Sequence, residues 1–471
     1  MSEGRRLARN VLSLGAAQGV TLVLGLVLWV HLGRALGADR LGMIAFGMAL
    51  LSYFVLAVTL GFDAVGVREA ARDRAREAEI VPTLLSVRLA LAAGVTVAFT
   101  AVVLALRLGP TYQLAVLVLG VQIVARAIQL DWVYQARQAM GAAAARKVGQ
   151  AAVTVAVALA LVRTPNDVVW AAIALAAGPL AANAVLFAVY VRQSGAPRLR
   201  IDRPAWRALL VPALPLAASA LVTQVYYNAD KLMLEALRTT AEVGLYEAAY
   251  KAYALGIALA SVLYTAYFPT LAAALGDARA MREAGARYAG ALWAVGPPFA
   301  LGAAVYAPEL LELLFGPGYG GAATALRVLM VYAALAHVSM AFGVPLLAWN
   351  AEKGYLRSVI AGGVANVVLN LALVGPLGPT GAALATLASE AAVTVGMAVR
   401  YRRLSGTLLP ATAARGLIVA VCGGVAPALA SHALDVPVFG AVASVAAATA
   451  LATWATGMVD VRALAALLAR R

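Results

Sequence analysis

Along this chain of 471 residues, hydrophobic positions gather into long blocks separated by short polar segments. A block of roughly 18 residues or more, coiled as a helix, is long enough to cross a hydrocarbon core of about 30 Å. About fourteen such blocks can be drawn, near 11–32, 41–62, 81–106, 110–130, 148–162, 168–191, 209–229, 243–268, 287–307, 323–349, 357–375, 379–400, 412–432 and 434–458, the fifth being short. The segments between them are too short for a soluble catalytic domain or a sizeable extracytoplasmic loop. The pattern predicts an all-α polytopic membrane protein.

Composition agrees: 63% of the residues are hydrophobic, 13% are charged, and the mean hydropathy is +0.86. A soluble chain would be nearer half apolar and a quarter charged. The net charge of +15 would, in such a chain, suggest a polyanion such as nucleic acid as partner. Its placement argues otherwise. With a cytoplasmic N-terminus, 27 of the 37 basic residues fall in inside segments and seven outside, while Arg88, Arg126 and Lys251 fall within spans. That asymmetry is the positive-inside signature, and it puts both termini in the cytoplasm. Arg5, Arg6 and Arg9 precede an apolar run in the manner of a secretory signal, but the run is longer than a signal's apolar core and reads as an uncleaved first span.

Cys422 is the only cysteine, and His31, His337 and His432 lie far apart, so neither a disulfide framework nor a thiolate or histidine metal cluster is expected. There is no P-loop, HExxH, nucleophile elbow or paired-carboxylate loop motif. The chain reads as a non-enzyme with no cofactor, no metal and no nucleic-acid partner.

An internal repeat emerges on laying the second half over the first. At an offset of 202, Leu12-Ser13-Leu14 meets Leu214-Pro215-Leu216, and Leu41-Gly42 meets Val243-Gly244. Near the ends of the halves, an offset of about 210 sets Arg357 on Lys147 and Gly381-Ala382-Ala383 on Ala171-Ala172-Ile173. Six spans per half is an even number, so both halves enter from the same side and are related by a pseudo-twofold axis along the membrane normal. The expected organisation is an N-terminal lobe over 1–200, a C-terminal lobe over 201–405, and two extra helices with a short cytoplasmic tail over 406–471.

Four stretches carry a family resemblance: LGFDAVGVREAARDR from Leu60 to Arg74, DWVYQARQ from Asp131 to Gln138, YYNADKLMLEALRTTAEVGLYEAAYKAY from Tyr226 to Tyr253 followed by Pro269, and NVVLNLALVGPLGPTGAALATLASE from Asn366 to Glu390. In these the chain resembles the Wzx-type polysaccharide-repeat-unit flippases of the multidrug/oligosaccharidyl-lipid/polysaccharide exporter superfamily. The resemblance implies a fourteen-helix, two-lobe, MATE-like fold. It also implies a cargo of undecaprenyl-diphosphate-linked oligosaccharide turned from the cytoplasmic to the outer leaflet, with polysaccharide-assembly proteins as further partners.

A charge at bilayer depth costs about 2.5–3.5 kcal/mol or more, so in-span charges usually face a cavity or a partner. Arg88, Arg126 and Lys251 are the cationic candidates for holding the diphosphate, against the bland readings that the arginines snorkel and that Lys251 pairs with Glu247 at i−4. Asp230, Lys231 and Glu247 are candidates for a gate of charge pairs, against a solvated turn. Tyr226, Tyr227 and Tyr250 are candidates for stacking on sugar, against an interfacial aromatic belt. Glu390 is a candidate for proton coupling, against a hydrogen bond to a neighbouring helix. The leading expectation is a flippase working by alternating access in cell-surface polysaccharide synthesis. A MATE-type drug/cation antiporter on the same fold is the runner-up, and a non-transporting scaffold in a polysaccharide-assembly complex the third.

Overall fold

The computed structural model describes residues 3–72 and 76–458, which form helices and no strands. Arg74 and the basic tail residues Arg462, Arg470 and Arg471 lie outside the described residues. In chain order the helices are α1 (Glu3–Thr59), α2 (Phe62–Arg72), α3 (Glu77–Ala105), α4 (Pro110–Leu119), α5 (Val121–Ala127), α6 (Asp131–Ala136), α7 (Met140–Leu161), α8 (Val168–Ser194), α9 (Arg203–Leu237) and α10 (Thr240–Ala273). There follow α11 (Ala278–Val305), α12 (Ala307–Phe315), α13 (Ala323–Ala348), α14 (Glu352–Ser405), α15 (Pro410–Ile418), a π-helical turn (Val419–Val425), α16 (Ala426–Ala433) and α17 (Val438–Thr456).

Twelve described helical segments are long and apolar enough to cross a membrane. Two of them are built on very long helices broken at glycine: α1, of 57 residues, at Gly37 (φ 74°, ψ 172°), and α14, of 54 residues, at Gly378 (φ 55°, ψ −134°). At 1.5 Å per residue each exceeds the need of a single crossing of about 30 Å, and division at the glycine yields two adequate lengths. Hydropathy draws fourteen blocks where the described residues hold twelve such segments, because it divides each of these two long helices in two. The fifth span departs from its expected bounds. It is a full 22-residue helix, α7, because Ala142–Ala145 favours helix and carries it back over Arg146 and Lys147, which hydropathy assigns to a connecting segment.

Local chemistry explains several helix starts. Thr239 and Glu242 cap α10 reciprocally: the Thr239 main-chain N–H donates to the Glu242 carboxylate at 3.2 Å, and the Glu242 N–H donates to the Thr239 hydroxyl at 3.3 Å. Asp277 caps α11 by accepting from the main-chain N–H groups of Ala280 and Arg279, which lower its carboxyl pKa.

The chain forms two compact units, Met1–Glu235 with Thr239–Gly244, and Ala236–Arg238 with Leu245–Arg471. In the first, Phe62, Val65, Leu84, Trp132, Val133 and Tyr190 form a core at one end of the helices. Helix α9 joins it through Leu209 and Ala213, and the Trp206 indole donates to Ser86 at 3.0 Å. Contacts therefore group α9 with the first six spans, whereas the repeat begins at 201, ahead of it.

Within the same unit, Gly42 and Gly244 meet back to back. A Cβ on Gly42 would lie 1.8 Å from the Thr240 oxygen and 2.9 Å from the Gly244 nitrogen, and one on Gly244 would lie 1.8 Å from the Ala38 oxygen and 2.9 Å from the Gly42 nitrogen. Residues 42 and 244, like 38 and 240, are separated by the repeat offset of 202.

The second unit has its core around Tyr288, Trp293, Phe342, Trp349 and Tyr401. The two halves of α14 pack antiparallel, with Gly354, Ser358, Gly362, Asn366 and Asn370 spaced every four residues along one face. Small residues at this spacing let helices approach closely in a membrane. A Cβ on Gly381 would stand 2.1 Å from the Leu373 main-chain oxygen, whereas one on Gly375 meets nothing within 4 Å. Gly381→Ala should therefore destabilise by about 1–3 kcal/mol through overpacking, and Gly375→Ala should be neutral or slightly stabilising. Thermal-shift measurements on the two variants in detergent check this; equal melting temperatures would contradict it. The last two helices also belong to this unit, Gly424 packing on the Pro298 main chain and the Thr449 hydroxyl donating to the Gly423 oxygen at 3.1 Å.

Candidate functional site

Two of the family-like stretches meet in the first unit. Phe62 and Gly66 of the first lie against residues of the second, with the Trp132 ring so close to Gly66 that a Cβ there would come within 2.6 Å of it. Each stretch supplies an acid to an arginine on another helix. Arg88, on α3 and 2% exposed, donates to Asp63 at 2.7 Å and to the Gln129 main-chain oxygen at 3.1 Å, with its guanidinium over the Phe62 ring at 5.7 Å. Arg146, on α7 and buried, donates through Nε to Asp131 at 2.5 Å and through Nη1 to Gln150 at 2.7 Å and Asn183 at 3.2 Å.

Arg126 belongs to the same network but differs in kind. Its Nη1 donates to the Gln129 side-chain oxygen at 2.5 Å, and Gln129 in turn donates to Asp131 at 2.7 Å. Its side chain is exposed, unlike those of Arg88 and Arg146. On α5 it stands five positions from Val121 and two from Val124, about 140° and 160° around the helix from these apolar, exposed side chains. Arg126 thus leaves the helix on the side opposite the apolar strip that lipid would cover.

The remaining candidates are distributed as follows. In the first unit Asp230 and Lys231 are buried, and both are engaged by neighbours. The Tyr226 and Tyr227 rings meet edge to face at 5.4 Å, and Tyr227 is exposed. In the second unit Lys251 pairs with Glu247 at 3.0 Å, the i,i+4 pair anticipated from spacing, with Glu247 buried and Lys251 half-buried. Tyr250 sits between Tyr246 (6.1 Å) and Tyr253 (5.3 Å), and Tyr253 stacks on Tyr332 at 5.0 Å, so these rings form a packed ladder. Glu390 is buried beside a hydrogen-bonded row in which Asn370 donates to Asn366 at 2.9 Å and Asn366 to Ser389 at 3.4 Å.

Sequence reasoning did not single out Asp63, Gln129, Asp131, Arg146 and Asn183, which the fold joins to Arg88 and Arg126 in this network. Asp63 and Asp131 lie inside stretches already singled out for resemblance, and that is the signal that could have found them. It also missed a cavity of about 1080 Å3 in the first unit, lined by residues of α2, α3 and α9 and by the segment 193–202. Its five arginines, Arg68, Arg76, Arg137, Arg198 and Arg200, face Glu69, Glu77, Glu79 and Asp202, so its charges nearly cancel. Arg137 is fixed there: it makes paired hydrogen bonds to Glu77, donates to Ser194 at 2.8 Å, and lies over the Tyr134 and Tyr190 rings, each at 5.6 Å. The Glu77 hydrogen bonds raise its pKa further. None of the sequence-derived candidates lines this cavity.

Comparisons with known proteins bear on the whole chain. The model of the family "Polysaccharide biosynthesis protein" matches residues 7–275. A putative O-antigen transporter of Escherichia coli (strain K12) is 22% identical over 396 residues, covering 82% of this chain and 95% of the relative. Among solved structures, the lipid II flippase MurJ in an inward closed conformation superposes with a TM-score of 0.67 at 12% identity, over 96% of this chain and 99% of that one. An inward-facing multidrug resistance MATE family transporter of the MOP superfamily gives 0.60 at 17% identity, over 82% of this chain and 96% of that one. With more than half its length matched by the family model and a MATE-like helical fold along the rest, the chain belongs to the polysaccharide biosynthesis protein family, as a multi-pass membrane transporter.

Proposed function

We propose that this protein is a flippase that moves undecaprenyl-diphosphate-linked oligosaccharide repeat units from the cytoplasmic to the outer leaflet of the bacterial cell membrane, both termini lying in the cytoplasm. It works by alternating access, with the repeat-related lobes 1–200 and 201–405 as the moving bodies and 406–471 as an appendage. The observation that carries this reading is Arg126. It is an accessible guanidinium, at bilayer depth by sequence, held on a buried polar network and directed away from the apolar strip of its helix. A planar fork of this kind engages phosphate oxygens bidentately, and the diphosphate carries the charge that such a site recognises. An inside-negative potential, worth about 2.3 kcal/mol per charge per 100 mV, favours outward passage of an anionic headgroup. The family membership and the names of its relatives, an O-antigen transporter and a lipid II flippase, support the same class of cargo. Glu390 as coupling acid, Lys251 as a further contact for the diphosphate, the Asp230, Lys231 and Glu247 charges as a gate, and Tyr226, Tyr227 and Tyr250 as sugar contacts belong to this proposal, whereas Arg88, enclosed and paired with Asp63, supports the network and does not meet the cargo.

The test is movement of undecaprenyl-diphosphate-linked sugar across proteoliposome membranes. Wild-type protein should flip it, Arg126→Ala should flip it about tenfold or more slowly, and Arg163→Ala, changed at an exposed loop position, should match wild type. Efflux of cationic drugs without any lipid movement would replace this reading with the antiporter.

A further inference from the structure

We infer that Gln129 is a positioning residue for the cargo's diphosphate, keeping one net positive charge of the buried network on the accessible guanidinium of Arg126. This deepens the proposed function and rests on it.

The network is a closed circuit. Arg126 donates to the Gln129 oxygen, Gln129 donates to Asp131, Asp131 accepts from Arg146, Arg146 donates to Asn183, and Asn183 donates at 2.7 Å to the main-chain oxygen of Ala125, the residue next to Arg126. Donor and acceptor roles leave no freedom in it. An ionised carboxylate only accepts, so Gln129 must offer Asp131 its NH2 and therefore turns its oxygen to Arg126. Gln129, Asp131, Arg146 and Asn183 are all buried, so the circuit is shielded from competing water.

The charges are unevenly matched. Three arginines, Arg88, Arg126 and Arg146, share two carboxylates, Asp63 and Asp131. Arg88 and Arg146 each hold one of them. The partner that the circuit gives Arg126 is a neutral amide, so the surplus charge stays on the one exposed guanidinium of the three. A carboxylate at position 129 would have almost the same shape and would cancel that charge. The identity of residue 129 therefore decides whether the site is cationic, while Arg126 makes the contact.

The experiment compares binding of undecaprenyl-diphosphate-N-acetylglucosamine with binding of undecaprenol, by native mass spectrometry of full-length protein in detergent. General loosening of the fold would weaken both lipids alike, so the ratio of the two affinities isolates the charge effect. Wild type should prefer the diphosphate. Gln129→Glu should reduce that preference about tenfold or more, and the combined variant Gln129→Glu with Asp131→Asn, which restores the net charge but leaves it on the buried Arg146, should not recover it. Undiminished preference in Gln129→Glu, or its recovery in the combined variant, overturns the inference while leaving the proposed cargo standing. A wild-type protein without preference for the diphosphate overturns both.

Discussion

Truncation of Arg146 to alanine is expected to be among the most damaging single changes in the chain. It would leave Asp131, which is 4% exposed, with a buried charge and only the Gln129 amide to answer it, and would strip Gln150 and Asn183 of a shared donor. Removing one partner of a buried ion pair typically costs about 3–5 kcal/mol, because the desolvated charge that remains has lost its compensation. Asp131→Ala should cost a similar amount for the mirror reason. The volume-matched double variant Arg146→Met with Asp131→Leu should recover most of the stability, since a buried pair replaced whole by apolar groups is often neutral. Thermal unfolding of the single and double variants in detergent reads this out. Single variants as stable as wild type would show that the pair contributes little to folding. The double variant should still transport poorly, because Gln129 would have lost the acceptor that turns its oxygen toward Arg126.

The second large effect is expected at the meeting of Gly42 and Gly244. The obstacle to a side chain at either position is main chain, 1.8 Å from the would-be Cβ, and no rotamer relieves it. Gly244→Ala should therefore be nearly as harmful as Gly244→Val, since the first carbon already forces the helices apart. The contact lies between the second half of α1 and the first turns of α10, away from the aromatic core around Phe62 and Trp132. Expression and folding should survive, whereas lipid flipping in proteoliposomes should fall about tenfold or more. Normal transport by Gly244→Ala would mean that the close approach is dispensable.

Much of the fold was legible in the chain because insertion into a bilayer is decided locally. A run such as 168–191 is apolar whatever its neighbours are, and it returned as α8, Val168–Ser194. The breaks were harder to see. Gly37 and Gly378 are two among 42 glycines, and composition does not show which of them adopt positive φ inside a long helix. The start of α7 was misplaced because a hydropathy window weighs Arg146 as a boundary, whereas an alanine run continues a helix through it.

The candidate site was legible by type and not by partnership. Lys251 with Glu247 was readable because four residues on one helix fix their proximity. Arg88 stands out in its span as a charge in apolar surroundings, but its acid lies 25 residues away on another helix and its ring partner is Phe62. Arg126 and Arg88 look alike in sequence, and only packing makes one accessible and the other enclosed.

The sequence by itself determined that the chain is a polytopic helical membrane protein and where most of its long apolar helices lie. Hydrophobicity and charge are properties of single residues, and they add along a helix without reference to the rest of the fold. The tertiary structure alone decided which charges pair with one another and which of the three arginine side chains is exposed. Those outcomes depend on hydrogen bonds between α3, α5, α7 and α8 and the segments that follow spans two and four, where a side chain's energy is set by atoms distant in sequence and adjacent in space.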